Sequence, residues 1–417
     1  MELSNLHIQK GKHIDDSWKR WDKVMNIAIL NVVGVEGSTG KIATKLAELY
    51  RKNGNVCRIY HGRGKKQDSD VYRKFGSFCD NSFHYLMARF TDREGEYSTY
   101  YTRRIVSNLL SFNPDVIVLL NLHGHYLDIP MFMDKISSTK AKVVYFLCDE
   151  FPYTSRCDYI PEGCNGYLSE CEECPLGLKN LHDQFRKKYD YYEKLGDDIA
   201  FASVGYIADR ARKSSLLRGR RIYIINTGID TDYYHPVETS SLKEKLGIAE
   251  DKIVLINVAM FSTTRKGVEY FIEAAKALEN DQRFVFVNIG YDGPMNILPN
   301  NYIAVPYVED QEQLREYYSM ADAYICTSTM DALPNACVSA MSCGTPIVGF
   351  PVSGIPYLAD EPVLHTLDRV GAEPITEYLK LTGKKTPELS DMCRKYAVDN
   401  YSFNDFADKL LNAALDL

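Results

Sequence analysis

The chain has 417 residues, of which 45% are hydrophobic and 25% are charged, and its formal net charge is −7. A chain of this length exceeds one ordinary hydrophobic core, so we expect two domains. The acidic balance argues against nucleic-acid binding, which needs a dominant basic face, and no apolar run approaches the ~20 residues of a membrane-spanning helix.

Residues 1–24 are polar, and we interpret them as an N-terminal appendage. The first domain, predicted over residues 25–236, begins with a strand at 26–31, a glycine-bearing loop at 34–40 and a helix at 41–53, which is how an α/β unit starts. Its further predicted elements are strands at 56–60, 116–120, 143–147, 199–203 and 222–226, and helices at 100–112, 131–135 and 207–217. A charged helix is also predicted after residue 180, before the strand at 199–203.

The alternation of strands and helices restarts in a second domain, predicted over residues 237–386. Its predicted strands lie at 252–257, 284–288, 303–305, 323–326 and 346–350, and its helices at 267–278, 311–320 and 335–342. This pattern predicts two Rossmann-like, doubly wound parallel sheets that face a central cleft, where ligands bind beyond the carboxyl ends of the strands. Residues 387–417 read as amphipathic helices that cross back to the first domain.

The stretch from Asp331 to Pro346 reads as a loop that feeds a short helix, which stops at Gly344 before a buried strand. Backbone N–H groups at the start of this helix, residues 334–336, have no partners within the helix and favour a phosphate or carboxylate. A turn-rich loop at 351–356 converges on the same helix start.

Arg265, Lys266 and Gly267 end the loop after the first strand of the second domain. A departing diphosphate needs positive charge where its negative charge develops, and fixed cations supply this charge without a metal. No acidic metal-ligand pair stands out, so we expect no catalytic cofactor. The alternative is that the two cations only decorate a helix start, although cations there oppose the helix dipole.

The glycine loop before Lys41 does not match a phosphate-binding P-loop. Val35 stands where the first glycine belongs, and Ile42 replaces the magnesium-binding hydroxyl. We therefore exclude a kinase or ATPase, which leaves a loop able to contact an acceptor or a pyrophosphate, or a simple tight turn. A Rossmann dehydrogenase is also disfavoured, because no G-x-G-x-x-G motif follows a strand.

The chain has eleven cysteines, and its charged N-terminus does not resemble a secretion signal. We expect a cytoplasmic protein without a disulfide framework. Four cysteines lie in one Pro-, Gly- and Tyr-rich loop and end in a C-x-x-C pair, which suits a closed structural zinc site; unligated thiols or a redox pair are the alternatives. These are Cys157, Cys164, Cys171 and Cys174.

Basic residues crowd the first quarter of the chain. They form either a solvated surface or a peripheral contact with anionic lipid headgroups at the inner face of the membrane. The basic residues are Arg63, Lys65, Lys66, Arg73, Lys74, Arg89, Arg93, Arg103 and Arg104.

Several segments together resemble the family 4 glycosyltransferases of the GT-B fold, especially the bacterial polysaccharide-biosynthesis type. They are residues 37–41, 92–95, 121–126, the four-cysteine loop, 226–230, 265–267 and 331–346. The resemblance implies metal-independent transfer of a sugar, with retention at the anomeric carbon, from a nucleotide-diphosphate sugar to a glycan or lipid-linked acceptor.

The resemblance also assigns roles to residues. The catalytic positions are Asp331, which touches the donor sugar, and Lys266 and Arg265, which bind the diphosphate. The donor-binding positions are Gly37, Ser38, Gly40, Asn335, Cys337, Ser339, Gly354 and Cys148, and the acceptor-side positions are His123, His125 and Lys41. From the residues alone, the two histidines fit acceptor binding and simple loop packing equally well.

Two positions depart from the family pattern. Ser339 stands where the family commonly has an acid that grips the nucleotide ribose, which removes a charge-assisted hydrogen bond worth ~1–3 kcal/mol. Cys148 stands where the family has an active-site histidine, and a thiol is a poor hydrogen-bonding group. No base that could activate Cys148 as a nucleophile is evident. The sequence thus supports an active glycosyltransferase or a catalytically silent relative that binds a glycan or a partner enzyme.

Overall fold

The structure is a computed structural model that describes residues 23–161, 163–172 and 174–416. Most of the predicted N-terminal appendage, residues 1–22, lies outside the described residues. The chain divides into two compact units. Of the described residues, unit 1 comprises 23–203, 207–225 and 407–416, and unit 2 comprises 204–206 and 226–406.

Unit 1 contains a seven-stranded sheet in the order β3-β2-β1-β4-β5-β6-β7, with every pair parallel. Its strands are β1 (Asn26–Val33), β2 (Val56–Arg63), β3 (Tyr72–Lys74), β4 (Val116–Leu119), β5 (Lys142–Phe146), β6 (Ile199–Ser203) and β7 (Ile222–Ile224). The helices between them are α1 (Gly37–Lys52), α2 (Phe78–Thr91), α3 (Thr99–Phe112), α4 (Ile129–Ile136), α5 (Leu181–Leu195) and α6 (Gly205–Lys213). The strand order reverses between β1 and β4, which makes this the topological switch point of the sheet.

Unit 2 contains a six-stranded parallel sheet in the order β10-β9-β8-β11-β12-β13. Its strands are β8 (Ile253–Val258), β9 (Phe284–Ile289), β10 (Tyr302–Val305), β11 (Ala323–Cys326), β12 (Ile347–Gly349) and β13 (Leu364–Thr366). Its helices are α7 (Ser240–Lys245), α8 (Val268–Ala277), α9 (Gln311–Met320), α10 (Asn335–Ser342), α11 (Ala372–Leu381) and α12 (Pro387–Tyr401), and α13 (Phe403–Leu415) ends the chain. Here the switch point lies between β8 and β11.

The two predicted doubly wound parallel sheets are confirmed. All four residues of β4 are buried, because this strand is covered on both faces of the sheet. Its sequence is therefore a continuous apolar run. Five elements were not predicted from the sequence, namely α2, β3, α7, β13 and α11. It was also wrong about residues 37–40, which form the first turn of α1 rather than a loop.

The prediction for residues 387–417 needs a correction, because α12 belongs to unit 2. Cys393, Ala397 and Tyr401 of this helix are buried in the same apolar cluster as α10, so its apolar side is satisfied within unit 2. The residues from Ala407 onward group with unit 1, where the Tyr50 hydroxyl donates to the Ala407 carbonyl oxygen at 2.9 Å.

Candidate functional site

The carboxyl ends of β8, β11 and β12 lie side by side in unit 2, next to the switch point of its sheet. The loops after these strands carry three groups that the sequence singled out, namely Arg265 with Lys266, Asp331, and Gly354. Because neighbouring parallel strands end at the same edge, the fold brings these loops together.

Asp331 lies between the two cations. Its Oδ2 accepts a hydrogen bond from Lys266 Nζ at 2.6 Å, and Arg265 lies 3.7 Å away. The Lys266 and Asp331 side chains are only 26% and 16% exposed, so the pair is partly shielded from water. The arrangement holds two positive charges in place at the sheet edge, where an anionic group can bind beside the carboxylate.

The backbone of the Arg265 segment is tied to the loop after β11. Thr329 N donates to the Arg265 carbonyl oxygen at 2.9 Å, and the Thr327 hydroxyl donates to the Lys266 carbonyl oxygen at 2.8 Å. A buried amide from β8, Asn257 Nδ2, donates to the same hydroxyl at 3.1 Å. A further buried amide from β9, Asn288 Nδ2, donates to Asn257 Oδ1 at 3.2 Å.

These two asparagines were not among the predicted site residues. Their only signal is that a polar residue sits near the carboxyl end of each of two apolar strands.

Gly354 follows β12 and packs directly against the Asp331 loop. Its N–H donates to the Asp331 carbonyl oxygen at 2.8 Å, and a Cβ at this position would lie 1.8 Å from the Ala332 carbonyl oxygen. Only a residue without a side chain allows this approach, so Gly354 fixes the position of the Asp331 backbone.

The start of α10 offers free backbone donors, as predicted, but fewer than expected. Pro334 is the N-cap and has no N–H, and no side chain caps the helix. The N–H groups of Asn335 and Ala336 have no partner among the residues that the structure describes. The Cys337 N–H itself donates to the Pro334 carbonyl oxygen at 2.9 Å and the Cys337 side chain is fully buried, so the expected contact of backbone near Cys337 with the donor stays a prediction.

Ser339 lies one turn further along α10 and is buried. Its hydroxyl makes no hydrogen bond within the described part of the chain.

Unit 1 collects the other predicted positions near its own switch point, at the start of α1 and after β4 and β5. Asn31 joins the first two of these segments, because its Nδ2 donates to Thr39 Oγ1 at 3.3 Å and its Oδ1 accepts from Asn121 N at 3.2 Å. Ser38 lies in the first turn of α1, which has no side-chain cap, and Lys41 follows that turn; both side chains are exposed.

His123 forms a close pair with Asp149. Its Nε2 lies 2.7 Å from Asp149 Oδ2, its ring lies 5.0 Å from the ring of Phe151, and its Nδ1 lies 4.0 Å from Glu94. Burial alone would lower the pKa of His123, but the hydrogen bond and charge of Asp149, together with Glu94, raise that pKa above its ordinary value. The sequence placed His123 on the acceptor side but did not link it to Asp149 or Glu94.

His125 occupies the left-handed region, with φ of 63°, and its ring lies 5.5 Å from the ring of His84. Burial lowers the pKa of His125, in spite of the nearby Glu94 carboxylate at 3.8 Å. Burial also lowers the pKa of His84, to about 3. These two histidines therefore pack as neutral rings at neutral pH.

Cys148 precedes Asp149 at the end of β5. Burial, and then the charge of Asp149, raise the pKa of its thiol well above the ordinary cysteine value. The thiol therefore stays protonated at neutral pH, which disfavours Cys148 as a covalent nucleophile.

We predict that the His123–Asp149 pair makes the stability of unit 1 depend on pH. The folded-state pKa of His123 is raised, so the pair stabilises fully below the unfolded value of ~6.5 and loses its contribution as pH rises through the folded-state pKa. Compared with wild type at the same pH, His123→Gln should therefore show weaker hydrogen-exchange protection in β4 and β5. This loss of protection should be larger in acid than in alkali.

Asp149→Asn serves as the matched variant for this test. It should remove the same pH-dependent part of the stability, and the double variant should lose little more stability than either single variant. Equal losses at both pH values would show that the pair acts by packing rather than by charge.

The four cysteines of the predicted zinc site lie in unit 1, between β5 and α5. Within residues 23–161, 163–172 and 174–416, no three His, Cys, Asp or Glu side chains are arranged to hold a metal. Burial, and then the neighbouring Cys174, Cys171 and Cys164, raise the pKa of the Cys157 thiol to about 11. The side chains as placed do not fit a zinc ligand set, and structural zinc stays a prediction.

Comparison with known proteins places unit 2 in a family. Residues 238–397 match the family "Glycosyl transferases group 1". Two relatives are the Mycobacterium tuberculosis alpha-maltose-1-phosphate synthase, 27% identical over 38% of this chain and 44% of the relative, and the Streptococcus pneumoniae alpha-galactosylglucosyldiacylglycerol synthase, 23% identical over 58% of this chain and 62% of the relative. The matches thus span about half the length of these curated relatives.

Solved structures extend the likeness to the whole fold. The Anabaena protein HepE, solved in complex with UDP, superposes with a TM-score of 0.67 at 14% identity, over 94% of this chain and 100% of that one. Residues 238–397 therefore form a group 1 glycosyltransferase domain, on a chain that has the GT-B fold.

Proposed function

We propose that the protein is a retaining glycosyltransferase that moves a sugar from a nucleotide-diphosphate sugar to a glycan or lipid-linked acceptor in polysaccharide or glycoconjugate assembly. The observation that carries this proposal is the group formed by Arg265, Lys266 and Asp331 at the switch point of the unit 2 sheet. It lies on the domain that matches the family "Glycosyl transferases group 1", and the two relatives are named as synthases of a maltose phosphate and of a galactosylglucosyl lipid.

The positive groups of this site can stabilise a departing diphosphate. A sugar leaves its nucleotide when negative charge on the departing diphosphate is stabilised. Arg265 and Lys266 supply two cations. The N–H groups of Asn335 and Ala336, which have no partner among the described residues, supply a helix N-terminus, so this stabilisation does not call for a metal. Asp331 orients the ammonium of Lys266 and faces the sugar in the arrangement that the family resemblance implies.

Unit 1 would supply the acceptor side. His123, held by Asp149 at 2.7 Å, is a polar group at the carboxyl edge of the first sheet, and the uncapped start of α1 carries Ser38 and Lys41. The proposed location is cytoplasmic, because eleven cysteines in a chain of 417 residues would be unusual as a disulfide framework.

A thermal-shift panel tests this function. A ligand present far above its dissociation constant raises the apparent stability of the folded state. We expect one of the UDP, GDP, ADP and dTDP sugars to raise the melting temperature. A CMP sugar should not do so, because it carries a single phosphate. Hydrolysis or transfer of the selected donor then tests turnover.

A catalytically silent homologue is the second candidate. It is favoured by Ser339, whose uncharged hydroxyl replaces the family's second acid, and by Cys148, whose thiol stays protonated. Nucleotide binding without hydrolysis or transfer, across a range of acceptors, would select this candidate, and the absence of any thermal shift would reject the proposed donor site.

A further inference from the structure

The buried side of α5 carries a lysine at its centre. Lys188 is only 5% exposed and lies in the middle of the stripe of residues through which α5 packs on unit 1. The other buried residues of this stripe are Leu181, Gln184, Phe185, Tyr191, Tyr192 and Leu195. An amine in such a stripe loses its hydration, which costs free energy unless protein groups accept its hydrogen bonds. Lys188 therefore needs specific partners.

The partners of Lys188 are backbone oxygens of the segment after β5. Its Nζ donates to the Phe151 carbonyl oxygen at 2.5 Å and to the Thr154 carbonyl oxygen at 3.0 Å, and it lies 3.5 Å from the centre of the Phe151 ring. It forms no ion pair with a carboxylate among the residues that the structure describes. An ammonium has three N–H donors and a neutral amine has two, so Lys188 can hold both oxygens in either protonation state.

Phe151 connects Lys188 to the His123–Asp149 pair. The Phe151 N–H donates to Asp149 Oδ1 at 3.0 Å, and the Phe151 ring lies 5.0 Å from the His123 ring. The other oxygen of this carboxylate, Oδ2, lies 2.7 Å from His123 Nε2. Phe151 therefore orients the carboxylate through its backbone and contacts the imidazole through its ring, while Lys188 holds both its carbonyl group and its ring.

Packing alone does not account for a lysine at this position. Burial lowers the pKa of Lys188 to about 7, although Glu94 and Asp149, and then Cys157 and Cys171, act in the opposite direction. A methionine would fill a similar space without the cost of desolvating an amine. What the amine adds is a pair of hydrogen bonds to the short segment that follows Asp149.

We propose that Lys188 is a positioning residue of the acceptor side, which acts on the His123–Asp149 pair through Phe151. It keeps the Phe151 N–H directed at Asp149, so that the carboxylate accepts from this N–H with one oxygen and pairs with His123 through the other. The assignment to the acceptor side rests on the proposed function, whereas the effect of Lys188 on the pair does not.

The test is the pKa of His123 in the full chain, measured by NMR titration of isotope-labelled histidine and assigned by the signal that His123→Gln lacks. Lys188→Met keeps a similar length of side chain and removes both hydrogen bonds, so Asp149 is no longer held in place. We expect the raised pKa of His123 to fall towards its ordinary value, by about 0.5 or more. Loss of a nearby positive charge would raise this pKa instead, so the sign of the change separates positioning from charge.

Tyr192→Phe is the matched control. Tyr192 lies on the same buried side of α5, and its hydroxyl donates to the Pro152 carbonyl oxygen at 3.0 Å, next to Phe151. This variant loses one buried hydrogen bond, so its melting temperature should fall, but its His123 pKa should equal that of wild type. Lys188→Gln is the second variant if Lys188→Met does not fold. Its nitrogen is one bond closer to the main chain and reaches the two oxygens less well, so the His123 pKa should fall in the same direction.

A His123 pKa that stays the same or rises in the Lys188 variants would overturn the proposal. An equal fall in Tyr192→Phe would do so too, because any loosening of this segment would then disturb the pair. A fall confined to the Lys188 variants, without any nucleotide-induced thermal shift in wild type, supports the positioning of the pair and rejects the proposed function. A nucleotide-induced shift with an unchanged His123 pKa in Lys188→Met does the reverse.

Discussion

Lys266→Ala should weaken the binding of the nucleotide-diphosphate donor by roughly 10- to 100-fold, because a hydrogen bond to a charged group contributes about 1.5–3 kcal/mol. Lys266 is the better placed of the two cations, since Asp331 holds its ammonium at 2.6 Å while the Arg265 side chain is about half exposed. Titration of the donor selected by the thermal-shift panel, by calorimetry, measures the change.

Lys276→Ala is the matched control for this prediction. Lys276 is an exposed lysine of the same unit, in the last turn of α8, and it makes no ion pair among the residues described. The control should bind the donor like wild type. Stability should change little in either variant, because partly exposed ion pairs contribute about 0–1 kcal/mol. Donor affinity that is the same in Lys266→Ala and in wild type would remove Lys266 from the site and with it the central support for the proposed function.

Gly267→Ala should destabilise unit 2 by about 2–4 kcal/mol, through backbone strain and overpacking together. Gly267 has φ of 60°, which disfavours any residue with a Cβ, and a Cβ here would lie 2.2 Å from the Thr327 carbonyl oxygen. The cost includes displacement of Arg265 and Lys266, so the nucleotide-induced shift should also shrink. Thermal and urea unfolding measure the first effect, and the thermal-shift panel measures the second.

Gly247 separates the two causes of this loss. It lies in the same unit with φ of 68°, and a Cβ added there would meet nothing within 4 Å. Gly247→Ala should therefore cost only the strain of a left-handed residue, about 1–2 kcal/mol, and should leave the nucleotide shift unchanged. Equal losses of stability in the two variants would mean that the contact between the Gly267 turn and the loop after β11 is not tight.

Local patterns predicted unit 2 well. The bounds of α9, β11 and α10 agree with the structure at every residue, because each of these elements is short, periodic and bounded by clear turn residues. The placement of Arg265, Lys266, Asp331 and Gly354 at strand ends followed from the same reading, since a loop after a parallel strand must lie at its carboxyl edge.

Helix α2 was missed for a physical reason. Its apolar residues lie outward, while the side that packs on the domain carries His84 and Ala88, so the usual apolar stripe does not mark its buried side. The error over α12 has a similar origin. Amphipathic periodicity shows that a helix packs on something, and only the folded chain shows that α12 packs beside α10 in unit 2.

The sequence by itself determined the alternation of strands and helices, the two doubly wound sheets and the residue types available at their carboxyl edges, because these depend on short-range periodicity and turn chemistry. Only the tertiary structure decided that Lys266 pairs with Asp331 across 65 positions, that His123 pairs with Asp149, and that the Cys337 N–H is already occupied. Such pairings depend on strand order and on distances of a few ångströms between loops that are remote in the chain, and no local pattern of residues encodes those distances.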